Sequence, residues 1–337
     1  MPKTLRNKYY KNLTYEKLMQ AHIKSRKSKG NRKEIIMFNL KQEEYIMWLL
    51  EKLKNKTYKH GGYTTFYVTE PKLRKIEKSR YIDRVVHRWL VDNFLEPAFI
   101  PQLINTTYAC IKNRGMHKAC LDVQKAMRKC KNKWGNYYIL KMDIAKYFDN
   151  INKKILLKII ERKIKDKNIL WLIKEILYAQ KREKGLEIGN YTSQIFANIY
   201  LNEIDQYIKH KLKIKYYFRY MDDSTLFLQT KKEAIEALKK IKEYLKENLE
   251  LKLNKKTQIF KDKQGVNFCG YKINENRLKI RDKGKRKLKK KVKKLKQQIK
   301  EEKITSKEAY KYLAGHMGYI EIADTYMLEE SLFYTEE

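Results

Sequence analysis

The sequence predicts an α+β fold in which short strands alternate with longer amphipathic helices. Runs rich in β-branched and aromatic side chains have strand length at 61–76, 136–142 and 215–221. Apolar residues recur at helical spacing in 40–56, 154–178 and 194–212. Only four prolines and 12 glycines interrupt the 337 residues, and no Ser/Gly-rich or Pro-rich linker is present. We therefore expect one continuous unit with several lobes.

The first half of the chain contains two strand regions separated by a helix. Residues 61–76 carry Thr, Tyr, Phe and Val around a proline, which predicts two strands joined by a basic turn. Apolar residues across 85–94 recur at helical spacing and predict a helix after the strand pair. The run NYYILKM at 136–142 predicts a strand that ends at Asp143.

Two adjacent aspartates lie between two further β-type runs. KYYFRYM at 215–221 predicts a strand, and STLFLQ, directly after Asp222 and Asp223, predicts its hairpin partner. Asp-Asp pairs are also common in turns, where the side chain bonds its own backbone, so the pair alone would indicate a structural role. A further strand-end aspartate, Asp143, about eighty residues earlier favours a shared function for the three carboxylates.

The region 281–300 predicts a basic amphipathic helix. It holds 12 Lys or Arg residues and one acidic residue. Its apolar residues follow one helix face at Leu288, Val292, Leu295 and Ile299. Two interpretations remain open, a helix that grips a nucleic-acid duplex and a charged helix that only faces solvent.

The charge composition indicates an anionic partner. Lys and Arg number 78 against 39 Asp and Glu, which leaves a formal net charge of +39, and 26 tyrosines are mixed among the cations. Nucleic acid fits this composition because cations neutralise phosphates and aromatic rings stack on bases. We expect no membrane association, since no apolar run approaches the roughly 20 residues of a spanning helix.

The sequence also predicts a cytoplasmic location. The amino-terminal residues lack the apolar core of a signal peptide. The four cysteines form no CxxC pair, so we expect free thiols and no structural zinc site.

The three aspartates have the chemistry of a metal site for phosphoryl transfer. Carboxylate oxygens are the ligands that Mg²⁺ prefers. Like charges brought together in this way need cations between them. Two such ions can activate an attacking hydroxyl group and neutralise a leaving pyrophosphate. Asp143, Asp222 and Asp223 therefore predict a site for two Mg²⁺ ions, which Mn²⁺ can replace.

Several motifs resemble those of reverse transcriptases. Tyr220-Met221-Asp222-Asp223 resembles the YxDD box of that family, and KMDIAKYFDNI at 141–151 resembles its first catalytic motif. GLEIGNYTSQIFANIYLNEID at 185–205 has the form (I/L)GxxxSQ, which resembles diversity-generating retroelement enzymes. Group II intron and retron enzymes more often have QGxxxSP. The resemblance extends from about residue 60 to about residue 328.

This resemblance implies a right-hand polymerase with fingers, palm and helical thumb. The first 60 residues would be an amino-terminal helical extension, and 61–135 would be the fingers with a template-contacting loop. The palm would span 136–262 and include a helical insertion at 153–180. Residues 263–337 would form the primer grip and the basic thumb.

The resemblance also assigns roles around the metal ions. Asp143, Asp222, Asp223 and the backbone of Ile144 would be the metal ligands. Phe148 would lie under the sugar of the incoming nucleotide and exclude a ribose 2′-hydroxyl group by its bulk. As an alternative, Phe148 is an ordinary core aromatic residue.

Five further residues would contact the nucleotide or leaving group. Lys72 and Arg74 resemble the fingers cations that bind the triphosphate, and Arg suits paired hydrogen bonds to phosphate. Lys256 resembles a palm lysine proposed to protonate pyrophosphate, although Lys255 is an alternative. Ile188, next to Gly189, stands where many relatives have a glutamine that contacts the nucleotide. An apolar side chain cannot form that hydrogen bond, so we expect low fidelity.

The template and primer would contact two other regions. Lys112 and Arg114 lie in a basic loop that resembles a template-contacting segment. Gly270 and Tyr271 lie in GVNFCGYKI at 265–273, which resembles the primer grip.

Taken together, the motifs predict an RNA-directed DNA polymerase. Its partners would be an RNA template, a DNA or RNA primer, deoxynucleoside triphosphates and, in a diversity-generating retroelement, a small basic accessory protein. One alternative is an antiphage reverse transcriptase, including one that needs no template. Another is an inactive RNA-binding scaffold, which the intact set of aspartates opposes. We expect nuclease and integrase activities to come from other proteins.

Overall fold

The computed structural model of the protein describes residues 4–69 and 73–334. Its α-helices are α1 (Tyr9–Asn12), α2 (Tyr15–Arg26), α3 (Lys33–Leu40), α4 (Gln42–Lys54), α5 (Tyr81–Leu90), α6 (Glu96–Phe99), α7 (Met116–Trp134), α8 (Tyr147–Asn150), α9 (Lys153–Lys163), α10 (Lys167–Leu177), α11 (Tyr191–Gln206), α12 (Lys231–Leu249), α13 (Asp282–Lys300), α14 (Ser306–Ile320) and α15 (Tyr326–Glu329). Its strands are β1 (Tyr63–Val68), β2 (Arg74–Ser79), β3 (Tyr138–Asp143), β4 (Tyr216–Tyr220), β5 (Asp223–Leu228), β6 (Gln258–Lys261), β7 (Val266–Phe268), β8 (Tyr271–Ile273) and β9 (Leu278–Ile280).

The strands of the described residues form three antiparallel sheets. β1 pairs with β2, and a four-stranded sheet has the order β4-β5-β3-β6. β7, β8 and β9 form the third sheet. This mixture of helices and antiparallel sheets confirms the predicted α+β class. The strand pair at 61–76, the strand that ends at Asp143 and the hairpin around Asp222 are all present.

The apolar region 154–178 forms two helices rather than one. α9 ends at Lys163 and α10 begins at Lys167. The side chain of Asp166 accepts hydrogen bonds from the backbone of the first turn of α10 and also from the N–H groups of Lys8 and Tyr9. The cap starts a new helix because its carboxylate satisfies N–H groups that have no partner within the helix.

The chain divides into two compact units. The first unit comprises the described part of residues 1–105 together with 144–211 and 241–253. Trp89 is fully buried in it, contacts the rings of Tyr9 and Phe94 edge-on, and donates its indole N–H to the Asn12 carbonyl oxygen. These contacts fix the amino-terminal helices to α5.

The second unit comprises 106–143, 212–240 and the described residues from 254 onward. It contains the four-stranded and three-stranded sheets and the helices α7, α13 and α14. Leu288, Val292 and Leu295 of α13 are buried in its core. The apolar face predicted for 281–300 therefore packs against the protein, while most of its lysines are exposed.

The four cysteines are free thiols, as predicted. Cys120 and Cys130 are buried, but Cys110 is exposed. Within residues 4–69 and 73–334, no helix has both the length and the apolar character that a membrane span requires.

Candidate active site

The two central strands of the four-stranded sheet bring two of the predicted aspartates together. In the antiparallel pairing of β3 with β5, Asp143 lies directly opposite Asp223. Side chains at such positions are close neighbours, with Cβ atoms roughly 4.5–5.5 Å apart. Asp222 precedes Asp223 in the tight turn that joins β4 to β5. The sheet register and the adjoining turn therefore place the three aspartates at the same end of β3 and β5.

A buried arginine supports this turn. The backbone of Met221 has a φ of 54°, a conformation that residues other than glycine rarely adopt. The guanidinium group of Arg219 is buried and donates a hydrogen bond to the Met221 carbonyl oxygen at 3.0 Å. The backbone of Arg219 also bonds to Thr106 and Tyr108, which fixes the outer side of β4. Sequence analysis missed Arg219, although an arginine within an apolar strand was a visible anomaly.

Lys141 supplies a counter-charge inside the carboxylate group. It lies two residues before Asp143, on the same face of β3, and its ammonium group forms an ion pair with Asp223. Its Nζ atom also lies 4.6 Å from the ring centroid of Phe268. Burial raises the pKa of Asp223, the carboxylates of Asp143 and Asp222 raise it further, and Lys141 opposes this rise. Lys141 therefore offsets the repulsion between the aspartates.

Asn254 connects Asp143 with Lys256. Its side-chain amide donates to the Asp143 carboxylate at 3.1 Å, and its backbone N–H donates to the Asp143 carbonyl oxygen at 2.7 Å. The Asn254 side-chain oxygen accepts the backbone N–H of Lys256 at 3.1 Å. The exposed Lys256 thus belongs to a turn that is fixed to the end of β3. The role of its ammonium group stays a prediction.

The aspartates have the oxygen chemistry that a hard divalent cation needs, but they do not form a preassembled cage. Across the described ranges, no group of three or more His, Cys, Asp or Glu side chains is arranged to hold a metal ion. Asp223 contacts Lys141 and Asp143 contacts Asn254. Metal binding would therefore require these carboxylates to exchange partners. Ile144, whose backbone was predicted as a further ligand, forms a bridge with Leu253.

The predicted nucleotide motif is fixed to the β1–β2 hairpin. The Glu77 N–H group donates to the Ile188 carbonyl oxygen at 3.0 Å, and Asn190 bonds both Glu77 and Ser79. A Cβ atom on Gly189 would approach the Ile76 side chain to 3.0 Å, and its φ of 118° also favours glycine. The Ile188 side chain is half-buried. The hairpin therefore determines where Ile188 and Gly189 lie.

Arg74 and Phe148, which were also predicted to contact the nucleotide, lie in the first unit as well. Arg74 begins β2 and is exposed, whereas Lys72 lies outside the described residues. Phe148 is half-buried in α8, contacts Tyr147 edge-on, and accepts the Leu186 N–H through its carbonyl oxygen. A partly accessible Phe148 is compatible with the predicted steric role, which stays a prediction.

The predicted primer grip forms a tight hairpin. Cys269 and Gly270 both have positive φ values, 47° and 91°, between β7 and β8. Tyr271 is buried, stacks on Tyr319 at 5.6 Å and donates its hydroxyl to the Tyr319 carbonyl oxygen. A Cβ atom at Gly270 would meet the Tyr319 ring at 3.1 Å. Tyr319, which belongs to α14, was missed as a partner of the grip.

The predicted template loop is fixed by one of its own cations. The guanidinium group of Arg114 donates to the Thr107 carbonyl oxygen at 3.1 Å, and Thr107 forms a bridge with Arg219. Lys112 is exposed in the same loop. Arg114 thus has a structural role, while template contacts by Lys112 and Arg114 stay a prediction.

Asp143 and Asp223 thus face each other on the central strands of an antiparallel sheet, and Asp222 lies in the adjoining β4–β5 turn. Residues 59–273 match the family described as reverse transcriptase (RNA-dependent DNA polymerase). Because the match covers more than half of the chain, the protein belongs to this family. The match confirms the family that the sequence motifs indicated.

Sequence and structure comparisons identify similar proteins. Protein YkfC of Escherichia coli K12 is 24% identical over 243 residues, which covers 60% of this chain and 63% of that protein. Group II intron-encoded protein LtrA of Lactococcus lactis subsp. cremoris is 26% identical over 185 residues, which covers 52% of this chain and 30% of LtrA. Telomerase from Candida albicans superposes with a TM-score of 0.49 and 14% identity over 72% of this chain and 50% of that one. The chain spans less than two thirds of the length of either curated relative.

Replacing Lys141 should destabilise the metal-free protein. Lys141→Gln removes the cation that faces Asp223, so we expect the free energy of unfolding in EDTA to fall by about 1–2 kcal/mol. We expect a modest effect because 34% of the Asp223 side-chain surface is exposed to solvent. Chemical denaturation would measure it.

Lys261→Gln is the matched control, since Lys261 is an exposed lysine of β6 in the same sheet. Its effect should be within about 0.5 kcal/mol. Equal stability of the two variants would show that Lys141 does not offset the carboxylate charge.

Proposed function

We propose that this chain is an RNA-directed DNA polymerase that makes cDNA on an RNA template from deoxynucleoside triphosphates. The observation that carries the proposal is the register of β3 and β5, which sets Asp143 opposite Asp223 beside Asp222. The family match over 59–273 supports the same activity. The formal net charge of +39 supports RNA and a DNA or RNA primer as partners.

In the proposed reaction, Asp143, Asp222, Asp223 and the Ile144 carbonyl group would hold two Mg²⁺ ions, for which Mn²⁺ could substitute. When bound, these ions would supply charge neutralisation at the primer hydroxyl and at the leaving pyrophosphate. Asp223 would exchange its contact with Lys141 for this role, and Asp143 would exchange its contact with the neutral amide of Asn254.

The other residues bind and orient the substrates. Lys72 and Arg74 bind the triphosphate, and Lys256 donates a proton to pyrophosphate. Phe148 and the Ile188-Gly189 backbone border the nucleotide. The rigid hairpin at Gly270 and Tyr271 holds the primer end, while Lys112 and Arg114 contact the template strand.

The first test is extension of a DNA primer on an RNA template with Mg²⁺, followed by sequencing of the product. We expect templated cDNA from the wild type and a loss of at least 100-fold in Asp222→Asn/Asp223→Asn, because amides cannot neutralise the cations (about 2.7 kcal/mol corresponds to 100-fold).

Glu243→Gln/Glu247→Gln is the charge-matched control, since both residues are exposed on α12. It should extend the primer at the wild-type rate. Absence of templated product from the wild type would contradict the proposal, and untemplated product would favour the antiphage alternative.

Replacing Phe148 should relax sugar selectivity. Phe148→Ala removes the bulk proposed to exclude the 2′-hydroxyl group, so the preference for deoxyribonucleotides over ribonucleotides should fall about 10- to 100-fold. Single-nucleotide kcat/KM values for both sugars would measure this ratio. Trp48→Ala, which removes an exposed aromatic residue from α4, should leave the ratio unchanged. If Phe148→Ala also leaves it unchanged, Phe148 is a packing residue only.

We further propose that the enzyme is error-prone and acts in a diversity-generating retroelement, with a small basic accessory protein sharing the nucleic-acid contacts. The (I/L)GxxxSQ form of the 188–194 motif supports this subtype. The half-buried Ile188 side chain, held by its backbone to Glu77, supports it too, since isoleucine cannot hydrogen-bond a nucleotide.

Restoring a polar side chain should therefore raise fidelity. We expect Ile188→Gln to lower the misincorporation frequency several-fold, measured by sequencing cDNA from a defined RNA. Ile188→Leu is the matched control because it keeps an apolar side chain, and its error frequency should equal that of the wild type. Equal error spectra for all three proteins would remove Ile188 as the cause of low fidelity.

A further inference from the structure

Four charged side chains meet beside the nucleotide motif in the first unit, and we call them the charge cluster. Its members are Glu77 of β2, Lys153 of α9, and Arg182 and Glu187 of the connection from α10 to α11. The side chains of Glu77, Lys153 and Glu187 are only 6%, 0% and 5% exposed. Charged side chains are rarely buried in this way unless they are paired.

Arg182 is the member of the charge cluster that contacts both carboxylates. Its Nη2 atom lies 2.8 Å from an oxygen of Glu77 and 3.2 Å from an oxygen of Glu187. The Nζ atom of Lys153 lies 3.8 Å from the Glu187 carboxylate. Burial raises the pKa of Glu187, and the charges of Lys153 and Arg182 oppose this rise. Two carboxylates are thus balanced by two cations inside the cluster.

The segment 183–190 passes through this cluster, and backbone hydrogen bonds fix its first half beside α8. The Gly185 N–H group donates to the Ile151 carbonyl oxygen at 2.9 Å. The Leu186 N–H group donates to the Phe148 carbonyl oxygen at 2.8 Å. Both acceptors lie in α8 or directly after it. This half of the segment is therefore held against the helix that carries Phe148.

The second half of the segment is held by β2 instead. The Glu77 N–H group donates to the Ile188 carbonyl oxygen at 3.0 Å, and the Asn190 side chain hydrogen-bonds to Glu77 and Ser79. Arg74, which is proposed to bind the triphosphate, begins the same strand. The segment thus connects the helix that carries Phe148 with the strand that carries Arg74.

Glu187 lies between these two halves, where Arg182 joins it to β2. Replacing buried ion pairs by apolar residues often leaves stability unchanged or raises it, so stability alone does not account for this cluster. What the bridge through Arg182 does add is geometry. It holds the carboxylate of the segment and the carboxylate of β2 on one nitrogen atom.

We propose that Arg182 is a positioning residue for the incoming nucleotide. By joining Glu77 to Glu187, it fixes β2 relative to the Ile188-Gly189 backbone, and both elements border the nucleotide in the proposed reaction. Arg182 acts through these elements and not by contact with the nucleotide. The consequence for the nucleotide rests on the proposed polymerase function, whereas the coupling of β2 to the segment is a property of the free protein.

The kinetic test is single-nucleotide incorporation on a primed RNA template by Arg182→Met, which keeps a long side chain and removes its charge. We expect KM for the deoxynucleotide to rise about 10-fold and kcat to change by less than about 3-fold, because poor placement weakens nucleotide binding. A residue that only stabilises the fold would lower kcat through a smaller folded fraction and leave KM unchanged. That pattern would overturn the proposal.

Lys181→Met is the matched control. Lys181 is an exposed cation of the same connection and precedes Arg182 directly. Both kinetic constants of this variant should equal those of the wild type.

Arg182→Met/Glu77→Gln covers the case in which the single variant does not fold. It removes one carboxylate together with its cation, so Lys153 and Glu187 still balance each other. We expect a Tm close to that of the wild type and the same rise in KM, since the bridge is absent. A wild-type KM in this folded variant would also contradict the proposal.

Amide hydrogen exchange distinguishes this proposal from the polymerase function. In Arg182→Met, the amide of Glu77 should exchange faster than in the wild type, because its partner Ile188 is held less firmly. The amide of Leu186, which bonds Phe148, should keep its rate. An unchanged rate at Glu77 would refute the coupling even in an active enzyme. A wild type that makes no templated product would contradict the polymerase function, and the exchange rates would still decide the coupling.

Discussion

The candidate site depends on one constraint, the placement of several carboxylates close together at the ends of two central strands. Antiparallel pairing sets Asp143 opposite Asp223, and the β4–β5 turn adds Asp222. Carboxylates so close together would repel each other without a compensating cation. Lys141 supplies that cation and Asn254 supplies a neutral donor. The strands, the turn and both partners thus form one electrostatic arrangement, which divalent ions would complete in the proposed reaction.

In the first unit, too, carboxylates hold cations in place, and each of these carboxylates pairs with two of them. Glu77 receives hydrogen bonds from Lys75, Gln180 and Arg182 while its backbone holds the 188–190 segment. Glu34 and Asp92 each hold two cations as well. A chain with a formal net charge of +39 cannot pair every cation. Its few acidic residues therefore decide which cations become rigid and which stay available to an anionic partner.

Much of the site was predictable because its signals are local. The strand that ends at Asp143, the hairpin at Asp222 and Asp223, and the apolar face of α13 each follow from periodicity and turn residues. Arg219 and Asn254 were missed, and the contact of Tyr319 with the primer grip was not foreseen, because these roles come from partners that are distant in sequence or from backbone carbonyl groups. Arg114 was predicted to contact template, which stays a prediction, but the hydrogen bond from its guanidinium group to the Thr107 carbonyl oxygen was not foreseen. No sequence pattern indicates which backbone carbonyl group an arginine side chain will bond.

The sequence by itself determined the α+β class, the strand ends and turn that carry the three aspartates, and the reverse transcriptase family, since these depend on residue type, order and spacing. Tertiary structure decided which cation faces Asp223, which carbonyl oxygen Arg219 bonds, and which two buried carboxylates Arg182 joins. The physical reason is that electrostatic and hydrogen-bond energies depend on distance in space. Strand register and helix packing set those distances between residues far apart in the chain.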